Sequence, residues 1–297
     1  MSTPAPLYIV ITDFDGWEQT ETCLRRLAGS TFKHFKVIVV DHGSSEVTAK
    51  GLEQFPACIR IPAESSLWWA GATNVGIRTA QQLGARHVML LNNDCYVGET
   101  TLAEMMAHVE ATAGQVIAPL QCSPHSGEIV VARTATCFTL GFPTFVLPYM
   151  KDISAAADNR LPTKMIVGGR GVVIPVEVFD EIGLFDEAAL PHYGADHDFY
   201  MRCRKHNVPL AIASDASVEI DETRTTAARN LGTMTWRQFA GSWQDPRSHR
   251  NIATLTTLFK RHYPIRPLYF IGVLLNTARY CLSYAARRAW YFLKRPS

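Results

Sequence analysis

Several common signatures are missing from this chain, and each absence removes a class of protein. Its seven cysteines, at positions 23, 58, 95, 122, 137, 203 and 281, form no C-x-x-C pair. They read as reduced core residues of a cytoplasmic protein, with neither a zinc site nor a disulfide framework. No G-x-x-x-x-G-K-[ST] and no G-x-G-x-x-G occurs, which argues against an NTPase or a dehydrogenase. The opening "MSTPAPLYIV" has no basic segment and no long apolar stretch, so no signal peptide is expected. There are no internal repeats and no low-complexity tracts. Acidic residues are missing altogether after Asp245. Ten of the 29 Lys and Arg lie beyond that point, leaving 19 basic against 27 acidic residues before it, a net charge of −8. A nucleic-acid reader would usually be basic on its main domain. Here the basic residues are interleaved with "PLYFIGVLL" and "YCLSYAARRAWYFL", a pattern that points to an anionic membrane surface.

What is present is an ordinary globular composition over 297 residues, 47% hydrophobic and 19% charged, enough to bury a substantial core. The first half alternates strands and helices. "LYIVIT", "KVIVVD", the weaker "CIRI" and "HVMLLN" are short apolar runs, with helical stretches expected at 17–28, 46–55 and 72–83. Apolar strands separated by helices predict a parallel sheet covered on both faces, a Rossmann-like α/β architecture. The second half is less regular, with glycine-broken strands in "GEIVVARTATCFTLGF" and "MIVGGRGVVIPVEVF". Helical pattern dominates from Thr235 onward, broken at Pro246, Pro264 and Pro267. The expected organisation is a catalytic domain over 1–234 and a helical C-terminal region over 235–297.

In parallel sheets, ligands bind beyond the carboxyl ends of the strands. The first exit is "TDFDGWEQT", the second places Asp41 after its strand, and the fourth reads Asn92-Asn93-Asp94. Three exits ending in carboxylates or amides on one sheet edge define a polar site. An oxygen-rich turn at Asp94 suits Mg²⁺ or Mn²⁺ shared with a diphosphate, and Asp41 could bond a base or ribose. "GATNVGI" opens a helix with small residues, which would let backbone N–H groups approach a phosphate or simply let the helix pack closely. Further on, "LPHYGADHDFYMRCRKHN" sets Asp196 at a helix start, with Asp198 projecting some 200° away around the helix. In isolation both could be helix caps. The basic run after them reads as a solvated face, with Arg202 a possible phosphate contact.

The ordered series "LYIVITDFDGWEQTETCLRRL", "VIVVDHGSSE", "WWAGATNVGI", "VMLLNNDCYV" and "GGRGVVIPVEVFDEIGLFDE…HYGADHDFYMRCRKHN" resembles family 2 glycosyltransferases of the GT-A fold, over about Leu7 to Asp221. It is most similar to the bacterial rhamnosyltransferase-like branch that builds O-antigen, capsule and cell-wall polysaccharides. The resemblance implies an inverting, metal-dependent transfer from a dTDP- or UDP-sugar to a glycan or lipid-linked acceptor. It assigns Asp41 to the nucleotide base, flanked by Thr12 and Asp13. Asn74 and Gly76 fall in the segment lining the donor pocket, and Asn92-Asn93-Asp94 matches the D-x-D-like motif whose last acid meets metal and diphosphate. Asp196 matches the general base of the "ED" motif, although Ala195 stands where the family has Glu. Many relatives carry a histidine as a further metal ligand where this chain has "VEIDETR", leaving Asp221 or Glu219 as its substitute. Asp198 is read as a capping or Arg-pairing residue.

The C-terminal segment is interrupted by Asn276 and Arg279, so a helix lying in the membrane interface fits better than a spanning one. A helical pair packed on the body or on another subunit, as in a homo-oligomer, is the alternative. The expected location is the cytoplasmic face of the inner membrane, as a peripheral protein. A nucleotidylyltransferase is disfavoured, because the glycine-rich loop with Arg and Lys that it needs is missing after "LYIVIT". A non-catalytic scaffold subunit of a polysaccharide assembly complex is the rival that keeps the fold and loses the chemistry.

Overall fold

A computed structural model of the chain describes residues 5–146, 158–221 and 231–293. The first half runs β1 (Leu7–Asp13), α1 (Trp17–Ala28), β2 (Phe35–Asp41), α2 (Glu46–Leu52), β3 (Ile59–Pro62), α3 (Trp68–Gln82) and β4 (His87–Leu91). These four strands are parallel and lie in the order β3-β2-β1-β4. The chain therefore reverses its direction of sheet growth between β1 and β4, and the crevice beyond such a switch point is where open α/β sheets bind ligands.

The second half supplies β5 (Cys95–Val97), α4 (Thr101–Ala111), β6 (Val116–Cys122), β7 (Ile129–Val131), β8 (Thr134–Cys137), β9 (Phe142–Val146), β10 (Arg160–Pro162), β11 (Arg170–Pro175), α5 (Val176–Ile182), α6 (Ala195–Lys205) and β12 (Leu210–Ile220). Three helices follow: α7 (Trp236–Gly241), α8 (Ile252–His262) and α9 (Tyr269–Leu293). β11 inserts antiparallel between β4 and β6 and extends the sheet towards β12 and β10. β5 pairs with β12, β7 with β6, and β8 with β9 forms a separate hairpin. The expected mostly parallel sheet thus holds for the first half and becomes mixed in the second.

Alternation along β1 feeds two cores. Leu7, Ile9 and Ile11 face α1 and α4, whereas Tyr8 and Val10 face α3, α6 and α8. Each such fully buried aliphatic side chain contributes roughly 1.5–3 kcal/mol. α1 buries Cys23, Leu24 and Leu27 on one stripe, as helical spacing requires. α3 is rich in Ala and Gly because it approaches the sheet closely: a Cβ at Gly76 would lie 2.3 Å from Val10 Cγ1. Leu255, Leu258 and Phe259 of α8 belong to the same core as Phe199 and Tyr200 of α6, so packing is continuous across Met234. A smaller cluster joins Leu231 and Phe239 to Tyr284 of α9, whose ring stacks on Phe239 at 4.2 Å.

Candidate active site

Asp13 ends β1 opposite Asp41, which ends β2. Asp13 is completely buried, and its carboxylate is occupied. Oδ1 accepts from Thr20 Oγ1 (2.6 Å) and Asn93 Nδ2 (3.1 Å), and Oδ2 from Thr48 Oγ1 (2.7 Å). A buried carboxylate needs such donors, and these bring the exits of β1 and β4 together with α1 and α2. Asp13 and Asn93 thereby tie the ends of β1 and β4 to one another. Thr12, one residue earlier, is half-buried in register with Val40.

Asp41 is equally buried but only half satisfied. Arg60 Nε (3.1 Å) and Nη2 (2.7 Å) both donate to Oδ2, while Oδ1 is enclosed with no donor. Leaving a buried carboxylate oxygen unpaired is costly. Next to it, burial pushes the His42 imidazole below its usual range even though Asp13, Asp41 and Asp15 pull the other way, so the ring is neutral at pH 7. His42 lies 5.2 Å from the exposed ring of Phe14.

Asp94 and Asp221 meet at the paired ends of β5 and β12, where the Asp221 N–H donates to the Asp94 carbonyl at 2.8 Å. Burial raises the Asp94 carboxyl, and Arg170 opposes the shift without cancelling it. Tyr96 Oη donates to Asp221 Oδ2 at 3.2 Å. Glu219 instead pairs with Arg26 at 3.1 Å, so of the two acids in "VEID" only Asp221 joins Asp94. Among the described residues, no three His, Cys, Asp or Glu side chains converge as a complete metal cage.

The loop before β11 connects this exit to α6. Gly168 N–H donates to Asp196 Oδ2 (2.8 Å), and the Gly169 carbonyl accepts from Asn92 N–H (2.7 Å). Asn92 Oδ1 in turn accepts from Trp69 Nε1 at 3.1 Å. Asp196 Oδ1 bonds His197 Nδ1 at 2.8 Å. Burial alone would raise the Asp196 carboxyl, but the charge and hydrogen bond of His197 and the Gly168 N–H outweigh it and hold it at about 2. The same ion pair overcomes burial of the imidazole and pushes His197 above its usual value. Gly194 begins the helix at φ +85°, and a Cβ there would fall 2.8 Å from Leu258 Cδ1, so only glycine serves. Ala195 is fully buried, so a Glu at this position would need a charge partner of its own.

Asp198 does not cap the helix, whose N-cap has no side-chain bond. It is the Arg-pairing residue of the two sequence alternatives, 1% exposed and bonded by Arg202 Nε (2.9 Å), Arg261 Nη1 (3.2 Å) and His262 Nε2 (2.9 Å). Arg202 is consumed there and at the carbonyls of Ile182 and Leu184, which corrects the expectations of a solvated face and a phosphate contact at that residue. Asn74 and Gly76 also turn inward. Asn74 donates to the Phe185 carbonyl (2.9 Å) and Glu187 Oε2 (2.8 Å) and accepts from Phe185 N–H (3.1 Å), and Gly76 packs on β1. Their small size and polarity serve helix docking in place of a pocket lining. Arg60, Arg170 and His197 were not picked out in the sequence. His197 had a signal, since it is the residue between two acids that face opposite ways.

A parallel 3-2-1-4 half-sheet extended by an antiparallel strand, flanked by helices and closed by a C-terminal helix, defines the GT-A fold. The chain belongs to glycosyl transferase family 2, whose family model matches residues 8–182. It is similar to the S. aureus TarS fragment 1-349 in complex with UDP-GlcNAc (TM-score 0.58, 14% identity, 96% of this chain and 92% of that one). It is also similar to the mannosyltransferase PcManGT from Pyrobaculum calidifontis in complex with GDP-Man and Mn2+ (TM-score 0.58, 14% identity, 98% and 76%). GalNAc-T7 with UDP, GalNAc and Mn2+ superimposes at TM-score 0.61 with 13% identity, over 91% of this chain and 55% of that one. At these identities the likeness is one of fold. Uncharacterized protein Rv1525 of Mycobacterium tuberculosis is 28% identical over 156 residues, 51% of this chain and 52% of its own length. The chain thus spans about half the length of the curated relatives it matches.

Proposed function

We propose that the chain is an inverting glycosyltransferase moving a sugar from a UDP- or dTDP-sugar to a hydroxyl of a glycan or lipid-linked acceptor. The observation that carries this reading is the Gly168–Arg170 loop. Three consecutive residues engage Asp196, Asn92 and the charge of Asp94, joining a proton acceptor to the acid of the fourth-strand exit. The structural neighbours that hold UDP-GlcNAc or GDP-Man with Mn2+ support it.

Asp41 Oδ1, a buried acceptor without a donor, suits the imino N–H that uracil and thymine share. The Asp94–Asp221 pair fits Mg²⁺ or Mn²⁺. Asp94 is short of positive charge, with Arg170 insufficient to lower its carboxyl, and Mg²⁺ commonly takes one or two carboxylates plus substrate phosphates. Such a cation, when bound, offsets the charge of the departing diphosphate. Asp196 receives the acceptor hydroxyl proton while that oxygen bonds the anomeric carbon. The anomeric C–O bond to the diphosphate breaks, and the nucleoside diphosphate leaves with the electron pair. His197 holds Asp196 ionised and oriented beforehand. The motif series supports an acceptor in bacterial surface polysaccharide, of the kind rhamnosyltransferase-like enzymes extend.

We also assign α9 to the surface of an anionic membrane, at the cytoplasmic face. Its polar interruptions face the body: Asn276 Nδ2 donates to the Gly141 carbonyl at 2.8 Å, and Arg279 sits 4.6 Å from the Phe142 ring. Phe270, Leu274, Leu282 and Leu293 are exposed elsewhere around the helix. Among the described residues no helix is long and apolar enough to cross a membrane, whereas an apolar stripe with basic residues suits the interface.

Titrating UDP and dTDP calorimetrically into wild type and Asp94→Asn, with and without Mn²⁺, tests the donor site. Metal-dependent binding lost in the variant is expected. Unchanged metal-dependent affinity would remove Asp94 from the site, and no binding by wild type would favour the scaffold.

A further inference from the structure

A cationic cavity lies on the far side of α6 from Asp196. It encloses about 970 Å³ between α6, α8 and the turn leading into α9, within the size range of small-ligand sites. Arg202, Lys205, Lys260, Arg261 and Arg266 face it, against only Asp186 and Asp198. Both acids are already committed, Asp198 to Arg202 and Arg261, and Asp186 to Arg261. Lys205 donates to the neutral Arg261 carbonyl at 3.0 Å. Among the described residues, Lys260 and Arg266 form no ion pair, and both are exposed. Three cations thus share one cavity with no carboxylate in ion-pair contact with them. His262, the remaining titratable group there, has its imidazole lowered chiefly by burial and adds no charge at pH 7. The crowding registers at Lys205, whose ammonium is pushed down by burial and by Arg266, Arg202 and Arg261.

The segment leading from the cavity into α9 has the opposite character. Ile265 is 59% exposed and Phe270 54%, with Leu268 and Ile271 beside them at the head of α9. A cationic hollow whose lining residues Arg266, Pro267 and Tyr269 alternate along the chain with exposed apolar side chains matches an amphipathic ligand, with its anionic head inside and hydrocarbon beside it. We infer that this cavity binds the phosphate headgroup of an anionic membrane lipid through Lys205, Lys260 and Arg266, and so fixes the docking site of the head of α9 on the bilayer. The inference rests on the reading of α9 as the membrane-facing helix.

Co-sedimentation of the full chain with vesicles tests it, using phosphatidylcholine containing either phosphatidic acid or phosphatidylglycerol at matched zeta potential. The variant is Lys260→Gln/Arg266→Gln, with melting temperature and turnover of a soluble acceptor measured alongside; both are expected to be unchanged. Wild type should prefer phosphatidic acid, whose phosphomonoester is the better fit for three donors. The variant should lose that preference and bind roughly 10-fold or more weakly. Vesicle binding that ignores both headgroup and variant would overturn the cavity and leave the α9 reading intact. If neither protein binds vesicles, the α9 reading fails and this inference with it. Calorimetric binding of inorganic phosphate that the variant abolishes, without vesicle binding, would make a free anion the ligand and overturn the lipid.

Discussion

α6 presents two aspartates to two different surroundings. On the face towards the sheet edge, Asp196 is held by one backbone N–H and one imidazole, and 14% of its side chain remains exposed. On the face towards α8, Asp198 is 1% exposed and held by two guanidiniums and an imidazole. A carboxylate offers about four acceptor sites. Asp196 has two to spare and a route to solvent. Asp198 has no such opening, and its partners tie α6 to α8. Residue type and spacing are alike on the two faces, and what separates the proposed proton acceptor from the fastener is how many lone pairs the protein itself uses.

The sharpest way to break this contrast is to remove the fastener. Asp198→Asn should destabilise the fold by about 3 kcal/mol, the low end for a broken buried pair, because Arg202 would lose its carboxylate partner while Arg261 keeps Asp186. Chemical denaturation would measure it. A change under about 1 kcal/mol would mean that the α6–α8 contact is held by packing alone. This expectation exceeds the cost of a lost cap, the role that the helix-start position suggests when read alone.

Next in size, Asp41→Asn should weaken UDP or dTDP binding by roughly 1–3 kcal/mol with or without EDTA, as expected when a buried acceptor is lost. A defect that appears only with metal would move Asp41 into the metal site.

A smaller effect should appear in pH dependence. The Asp196 carboxyl is depressed to about 2 in the fold, so its contribution to stability is complete above the ordinary carboxylate pKa of roughly 4 and is lost as pH falls towards 2. His197 is raised, so its share is complete below roughly 6.5 and fades as pH rises through its folded value. His197→Gln should therefore shift the acid limb of kcat/KM to higher pH and remove the alkaline part of the stability loss. An unmoved acid limb would show that His197 does not tune Asp196.

Much of the sheet edge was legible in the sequence, because parallel strands are apolar throughout and their ends show as abrupt changes to Asp and Asn. α1 was expected at 17–28 and occupies Trp17–Ala28, since its apolar stripe and polar flanks coincide. Function was harder to separate from packing where one residue suits both. Asn74 and Gly76 look like a ligand-lining pair in sequence, yet tertiary contacts claim them. Burial at Ala195 is likewise invisible locally. The Asp41–Arg60 and Asp198–Arg261 pairs are long-range in the chain, so no local pattern announces them. α9 was expected to lie on the membrane or pack on the body, and one of its faces does pack, because Asn276 and Arg279 fall on the stripe that meets the β8–β9 hairpin region.

Single-turnover transfer by Asp196→Asn, compared with Asp198→Asn and wild type at equal folded concentration, tests the two-face account most directly. The donor is the UDP- or dTDP-sugar selected by calorimetry. Asp196→Asn should lose on the order of 10²–10⁴ in rate while keeping nucleotide and Mn²⁺ affinity, as expected for removal of a general base. Asp198→Asn should stay within a few-fold of wild type. A dead Asp198→Asn enzyme beside an active Asp196→Asn one would contradict the account and place the base on the other face of α6.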